Sequence, residues 1–277
     1  MSAKFRTMVG MTSRILDALA ALEPQDRSTP LRGSLLLGFD TETTGLMAGH
    51  DAIVSASLVL RDPAAGFSGD MCDAWLINPH RPISPGASAV NGFTDEFVAE
   101  HGEEPAPALD CIAEVIATTQ RLRIPLVAYN APFDVNMLNG DLERWDLEPL
   151  ARRTAAAQPH AGADSPDSPA TDPLVIDPLV IDREVSHRPG SRALAHTTEY
   201  YGVYPHGSFH DAATDTVAAL DLLGPMATLY PQVGALTLEE LMPWQREAFD
   251  AWRRSYNSWA KQHGRRPRND TWFPRAS

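Results

Sequence analysis

The sequence has few of the features that direct a protein to an oxidising compartment or to a membrane. Its two cysteines, Cys72 and Cys111, form no CxxC pair, and because no export signal is evident, two buried, unpaired thiols are favoured over a disulfide. Apolar runs are short, as at 35–37, and none approaches the roughly 20 residues that cross a bilayer. Lys4 and Arg6 precede no apolar stretch, so we expect no signal peptide, no membrane association and a cytoplasmic location.

Positive charge is also scarce. The chain has 23 Lys and Arg residues against 36 Asp and Glu, for a net charge of −13. A protein that coats long duplex DNA needs many basic contacts to phosphate, so the charge balance argues against this class. An enzyme that holds a few terminal nucleotides through metal ions stays compatible, because acidic residues around the metal add to the negative charge.

Hydrophobic patterning predicts an α/β domain. Apolar runs predict strands at 34–39, 52–60, 74–77 and 124–129. Helical spacing predicts helices at 110–120, 133–147, 191–201 and 211–223, with Gly140 as a candidate break in the second. Three successive strands followed by alternating helices and strands predict a mixed sheet with helices on both faces.

We expect three segments along the chain. Residues 1–30 are predicted to form an N-terminal helical arm, on the apolar spacing of Ile15 and Leu19. Residues 31–230 are predicted to form the α/β domain. Residues 231–277 are predicted to form a helical extension with a basic tail.

Two stretches late in the domain stand apart in composition. Residues 154–173 are rich in Ala, Pro, Ser and Asp, which predicts a flexible loop. The sequence Asp-Pro-Leu-Val-Ile then occurs twice in succession, at 172–176 and 177–181. Five residues are too few for a solenoid unit, so one copy is expected to be a strand, and the sequence leaves open which.

The first chemical feature is a pair of carboxylates at the end of the first predicted strand. Asp40 and Glu42 are two residues apart, so on a strand they point to the same side. Two adjacent anions are costly unless a cation lies between them, and hard oxygen ligands suit Mg²⁺ or Mn²⁺. A solvated turn after a buried strand is the alternative interpretation.

Two further acidic motifs follow at the starts of predicted helices. In Asn-Ala-Pro-Phe-Asp, Asp134 lies in the first turn of a helix, where the helix dipole alone would favour it. In His-Asp-Ala-Ala-Thr-Asp, His210 precedes a helix that contains Asp215. Asp211 suits a helix cap, and His210 alone suits a surface position as well as a base.

The order of these motifs, D-x-E, then N-A-x-F-D, then H-x-A-x-x-D, resembles the DEDDh-type 3′–5′ exonucleases over about residues 33–225. The segment at 85–94 resembles a further family segment in which H-G-I-T is usual. Here Asn91 stands for that histidine and Phe93 for the isoleucine, which puts substrate contacts in question rather than the metal site.

The resemblance implies a ribonuclease H-like fold with a five-stranded mixed sheet and helical terminal extensions. It implies four acidic residues that hold two divalent cations, Mg²⁺ or Mn²⁺, and a histidine as general base: Asp40, Glu42, Asp134, Asp215 and His210. It also implies a pocket for the terminal nucleotide lined by Thr43, Leu46, Asn130 and Phe133. Leu46 and Phe133 suit ordinary core positions equally well. We interpret His196 and His206 as surface residues.

The implied activity is removal of nucleoside 5′-monophosphates from the 3′ end of DNA, preferably single-stranded. Action on RNA ends or short oligoribonucleotides is an open alternative, because the 2′-hydroxyl contact cannot be identified from the sequence. A catalytically inactive nucleic-acid-binding module is an alternative of another class. The aromatic stripe Trp252, Tyr256 and Trp259 either docks a DNA polymerase or helicase or packs on the domain, and packing is the favoured interpretation.

Overall fold

A computed structural model describes residues 13–155 and 173–273. Five strands form one sheet: β1 Leu36–Thr43, β2 Ile53–Arg61, β3 Met71–Leu76, β4 Leu126–Val127 and β5 Val175–Ile176. The helices of the described residues are α1 Arg14–Leu19, α2 Pro85–Asn91, α3 Asp95–His101, α4 Pro105–Arg121, α5 Pro132–Arg144, α6 Leu150–Ala155, α7 Pro178–Val185, α8 Leu194–Tyr201, α9 Ala212–Leu229, α10 Pro231–Ala235 and α11 Leu238–Gln262.

The sheet is mixed, with the strand order β3-β2-β1-β4-β5. β2 pairs antiparallel with both β1 and β3. β4 pairs parallel with both β1 and β5. The predicted five-stranded mixed sheet is therefore confirmed, although the strand predicted at 124–129 pairs over two residues only.

Alternation along the central strand β1 divides its side chains between two layers of helices. Leu37 and Phe39 join a buried core with residues of α4 and α5. Leu36 joins a second core with residues of α9. Because side chains alternate along a strand, Gly38 and the carboxylates that follow it at two-residue spacing lie on the α9 face.

Gly38 allows α9 to pack directly on β1. A Cβ atom at this position would lie 2.6 Å from Cγ2 of Thr216 and 2.8 Å from Cδ1 of Leu220, both on α9. Only a residue without a side chain permits this approach. The contact brings the first turns of α9 beside the end of β1.

The repeated pentapeptide takes two different structures. The first copy supplies β5, Val175–Ile176, which pairs with β4. The second copy begins α7, where Asp177 is the N-cap and Pro178 occupies the first helical turn. Of the loop predicted at 154–173, residues 156–172 lie outside the described part of the chain.

Two details of the helices differ from the sequence expectations. The candidate break at Gly140 is wrong: α5 runs through it, and a Cβ there would lie 2.5 Å from the backbone nitrogen of Gly49. Residues 85–101 form α2 and α3, which apolar patterns do not predict. These short helices have few buried side chains and begin at hydroxyl caps, with Ser84 accepting from Ala87 N–H and Thr94 from Phe97 N–H.

Side chains from both ends of the described chain join the central core. Ile15 of α1 and Phe249 of α11 belong to it, together with Trp272 and Phe273 beyond α11. Trp259 remains 46% exposed. The C-terminal region is helical as predicted, whereas the division into three segments stays a prediction.

Two further expectations concern thiols and membranes. Cys72 and Cys111 are free, and both are half-buried rather than buried as predicted. Burial raises the pKa of each thiol. None of the helices in the described segments combines the length and apolarity needed to span a bilayer.

Candidate active site

Asp40 and Glu42 lie at the end of β1, on the face that α9 covers. Asp40 is half-buried and Glu42 is 9% exposed. Burial raises the pKa of Asp40 well above its ordinary value, and the carboxylates of Asp134, Asp215 and Glu42 raise it further. Burial, followed by repulsion from Asp215 and Asp134, raises the pKa of Glu42 to about 8. The four predicted acidic residues therefore lie close enough to repel one another.

Asp134 reaches this cluster from the first turn of α5. Its side chain is 3% exposed. Its Oδ1 accepts the backbone N–H of Thr41 at 3.0 Å and the Thr41 hydroxyl at 2.7 Å. Burial raises the pKa of Asp134, and these two hydrogen bonds oppose that rise. Thr41 lies between Asp40 and Glu42 in the sequence, and its two hydrogen bonds hold the Asp134 carboxylate at the end of β1.

Asp215 enters from the first turn of α9. It is 8% exposed, and its Oδ2 accepts the backbone N–H of His210 at 3.1 Å. Its Oδ1 is buried and has no hydrogen-bond partner. Burial raises the pKa of Asp215 to about 6, against the hydrogen bond from His210. Asp211 has the capping role considered for it, because its Oδ2 accepts both the N–H and the hydroxyl of Thr214.

His210 stands at the rim of the carboxylate cluster. One of its ring nitrogens, one oxygen of Glu42 and one of Asp215 all lie within 4.8 Å of one another. Its side chain is exposed and its backbone has φ +67°. A non-glycine residue in this region is held there by its surroundings. His196 and His206 are exposed, as predicted.

The donor set fits hard divalent cations. Four carboxylates converge, and in the described residues no Lys or Arg forms an ion pair with any of them. The unpartnered Asp215 oxygen needs a partner, since a buried polar atom without one is costly. Carboxylate oxygens are the ligands that Mg²⁺ and Mn²⁺ prefer.

The residues predicted to line a nucleotide pocket have mixed environments. Leu46 is 82% exposed, so its alternative as a core residue is wrong. Phe133 is half-buried and packs at the edge of the core, which suits either interpretation. Asn130 is exposed with φ +66°. Thr43 is buried and its hydroxyl donates to the carbonyl of Gly45 at 2.6 Å.

A sequence model of the RNase T exonucleases matches residues 37–223. The chain belongs to this exonuclease family. The match covers β1 to α9 and therefore every residue discussed at the site. The family assignment made from the acidic motifs is confirmed, while the role of each residue stays a prediction.

Two of the curated relatives that match the exonuclease domain carry the name of a DNA polymerase III subunit. A DNA polymerase III subunit epsilon-like protein of Rhodobacter capsulatus is 41% identical over 113 residues, 40% of this chain and 15% of the relative. The DNA polymerase III subunit epsilon of Treponema pallidum is 34% identical over 120 residues, 42% of this chain and 49% of the relative. The chain thus spans about half or less of the length of these relatives.

The solved structures of exonuclease I share the fold. One has a TM-score of 0.56 and 20% identity, over 72% of this chain and 42% of the other. The complex of Escherichia coli exonuclease I with single-stranded DNA matches with the same TM-score, identity and coverage. At this identity the likeness supports the fold alone.

The sequence assigned no structural role to several residues that shape the candidate site, although the family resemblance singles out Asn91 as a departure from the usual histidine. Asn91 donates to the carbonyl of Thr43 at 3.2 Å and lowers the pKa of Glu42 by hydrogen bonding. Thr41 and Asp177 were also missed. Strand alternation could have placed Thr41 on the face opposite the β1 carboxylates, and Asp-Pro at 177–178 is a helix-start signal.

Proposed function

We propose that the protein is a 3′–5′ exonuclease that removes nucleoside 5′-monophosphates one at a time from single-stranded DNA. The observation that carries the proposal is the convergence of four carboxylates beside an exposed imidazole, with one buried Asp215 oxygen left without a partner. The family match supports exonuclease chemistry. Single-stranded or frayed 3′ ends are the proposed partners, with a polymerase or helicase as a further candidate.

Asp40, Glu42, Asp134 and Asp215 would hold two divalent cations, Mg²⁺ or Mn²⁺. Such ions, when bound, would neutralise the carboxylates and stabilise the negative charge that develops on the attacking and leaving oxygens. The raised pKa values support this role, because burial and nearby negative charges make the ionised carboxylates unfavourable and a bound cation would offset that cost. Thr41 keeps Asp134 oriented in either case.

His210 is the proposed general base. Its ring is exposed and therefore open to water, and its backbone N–H is held by Asp215. Histidine is suited to take a proton near neutral pH. In the proposed step, a water oxygen bonds to phosphorus while its proton passes to the His210 ring. The phosphorus–O3′ bond breaks, and the 3′-oxygen leaves and takes a proton from solvent.

The exposed apolar side chains beside the cluster support a site for an unpaired terminal nucleotide. Leu46 is 82% exposed and Met47 65% exposed, on the loop that follows β1. Large exposed apolar residues next to a polar site are candidates for base contacts. Asn130 and Phe133, at the start of α5, would flank the same nucleotide.

A digestion series with end-labelled oligonucleotides tests the proposal. Single-stranded and duplex DNA and RNA, labelled at the 5′ end, are incubated with Mg²⁺ or Mn²⁺ and resolved by length. We expect stepwise shortening of single-stranded DNA from the 3′ end and release of 5′-monophosphates. Faster digestion of matched RNA would favour the exoribonuclease alternative, and no digestion of any substrate would favour the inactive binding module.

Asp40→Asn is the decisive variant. It removes one charge from the cluster and is expected to abolish digestion while the protein stays folded. Asp250→Asn is the matched control, because Asp250 pairs with Arg253 on α11, outside the cluster. Nuclease activity retained by the Asp40 variant, above a blank purified in parallel, would contradict the assignment.

A further inference from the structure

The C-terminal tail, which lies outside the matched exonuclease segment, returns to the end of the sheet that carries the site. Trp272 is 3% exposed, and its indole N–H donates to Oδ2 of Asp177 at 3.1 Å. Asp177 directly follows β5 and caps α7. A residue nearly 50 positions beyond the family match, which ends at 223, therefore contacts the exonuclease fold through a buried carboxylate.

Asp177 is a buried carboxylate whose hydrogen-bonding capacity is filled by N–H donors. It is 1% exposed. Its Oδ1 accepts the backbone N–H groups of Asn130 and Leu179, both at 3.0 Å. Its Oδ2 accepts the N–H of Ala131 at 3.1 Å in addition to the Trp272 indole. Hydrogen bonds to an ionised group are strong, and a buried charge depends on each of them.

Two of those donors belong to the turn that leads from β4 into α5. Asn130 is exposed and has φ +66°, a conformation that a non-glycine residue keeps only when its surroundings enforce it. Ala131 is the N-cap of α5 and has no side chain able to cap the helix. Asp177 therefore supplies the polar contact that fixes this turn.

We propose that Trp272 is a positioning residue, which holds the Asn130–Ala131 turn at the nucleotide end of the site through its hydrogen bond to Asp177. The kinetic consequence rests on the proposed exonuclease function, whereas the coupling between the indole and the turn does not. The tail beyond α11 is thus part of the site's framework.

The separate anchoring of Asp134 and Asn130 determines whether this coupling changes KM or kcat. Asp134 is anchored independently, because Thr41 donates to it twice from β1. Loosening the turn therefore moves Asn130 and its nucleotide contact more than the carboxylate cluster. We expect KM to rise and kcat to remain within about twofold.

Trp272→Phe is the test, with Phe273→Leu as the matched control. Phe273 is 7% exposed in the same core but makes no hydrogen bond to Asp177 among the described contacts. Backbone amide exchange at Asn130 and Ala131 is expected to speed up about tenfold in Trp272→Phe relative to the control. KM for single-stranded DNA is expected to rise about five- to tenfold, with the control near wild type.

A second variant covers the case in which Trp272→Phe does not fold. Site-specific replacement of Trp272 by β-(3-benzothienyl)alanine keeps the ring shape and replaces the N–H by sulfur. Amide exchange equal to that of Phe273→Leu would overturn the coupling, and a fall in kcat with unchanged KM would overturn the role of Trp272 in positioning the nucleotide end of the site. If the wild-type protein digests no substrate, the proposed function is wrong. The coupling between Trp272 and the turn is then tested by amide exchange at Asn130 and Ala131 alone.

Discussion

Removing divalent cations should make the protein's stability depend steeply on pH. Burial and like charges raise the Glu42 pKa to about 8 and the Asp215 pKa to about 6. A carboxyl with a raised pKa in the folded state keeps a proton that the unfolded chain has already lost. The stabilising contribution of the Glu42 carboxyl to the free energy of unfolding is therefore at its full value below the pKa of this group in the unfolded chain, near 4.5. It is lost as the pH rises through the pKa of the same group in the folded protein.

The contribution of Glu42 to this effect can be worked out alone, and the raised pKa values of Asp40 and Asp134 add to it in the same direction. The Glu42 pKa of about 8, against an ordinary 4.5, corresponds at about 1.36 kcal/mol per pKa unit to about 5 kcal/mol of folded stability at complete ionisation. About 3 kcal/mol of this falls between about pH 5.5 and 8.5, since the unfolded carboxyl is already mostly ionised at the lower limit. The melting temperature should fall by about 6–12 °C over that interval.

Thermal unfolding followed by circular dichroism in EDTA measures this fall. Glu42→Gln has no titrating group at this position, so its melting temperature should change less with pH, and the change that remains comes from Asp40, Asp134 and Asp215. Adding Mg²⁺ should raise the wild-type melting temperature more at pH 8.5 than at pH 5.5, because more of the carboxylates are ionised there. Parallel pH profiles for the wild type and Glu42→Gln in EDTA would refute the assignment of the repulsion to Glu42.

His210→Ala should lower kcat by roughly 10²–10⁴-fold with the fold intact, and an unaltered pH–rate profile would remove the imidazole from the reaction. Gly38→Ala should cost about 1–3 kcal/mol and much of the activity, because the new Cβ would lie 2.6 Å from Cγ2 of Thr216. Adding Thr216→Ser removes that methyl group and should restore part of the lost stability and part of the lost activity. A double variant that is no more stable and no more active than Gly38→Ala would contradict the predicted steric contact. Leu46→Ala should raise KM about three- to tenfold at an unchanged melting temperature, since Leu46 is 82% exposed. A lower melting temperature with normal KM would instead indicate a packing role.

Those parts of the site that follow local rules could be predicted from the sequence. Asp40 and Glu42 share a face because β1 alternates, and the burial of that strand was evident from its apolar run. Asp134 lies in the first turn of α5, as its motif indicated, and Asp215, expected inside a helix, lies in the first turn of α9. That these four carboxylates converge could not be predicted from local rules, and the expectation came only from the resemblance of the motif order to a known family.

The remaining features depend on contacts between distant residues. The two Asp-Pro-Leu-Val-Ile copies have the same sequence, yet one pairs with β4 and the other begins a helix. Local propensity is equal in both, so tertiary context decides. The hydrogen bond from Trp272 to Asp177 joins residues 95 positions apart, and no pattern within either segment indicates it.

Two other contacts between distant residues hold the acidic cluster together whether its carboxyl groups are protonated or ionised. Burial and the charges of neighbouring carboxylates raise the pKa values of Asp40 and Glu42, so their ionisation opposes the fold that gathers them. Close packing at Gly38 fixes α9 against β1, and two hydrogen bonds from Thr41 fix Asp134. Neither restraint involves the charges of the β1 carboxylates, so both remain when those groups ionise. Protonation, or the divalent cation proposed for this site, would then relieve the repulsion without separating the strands and helices, which is the preorganisation that a cation-dependent phosphodiester hydrolase requires.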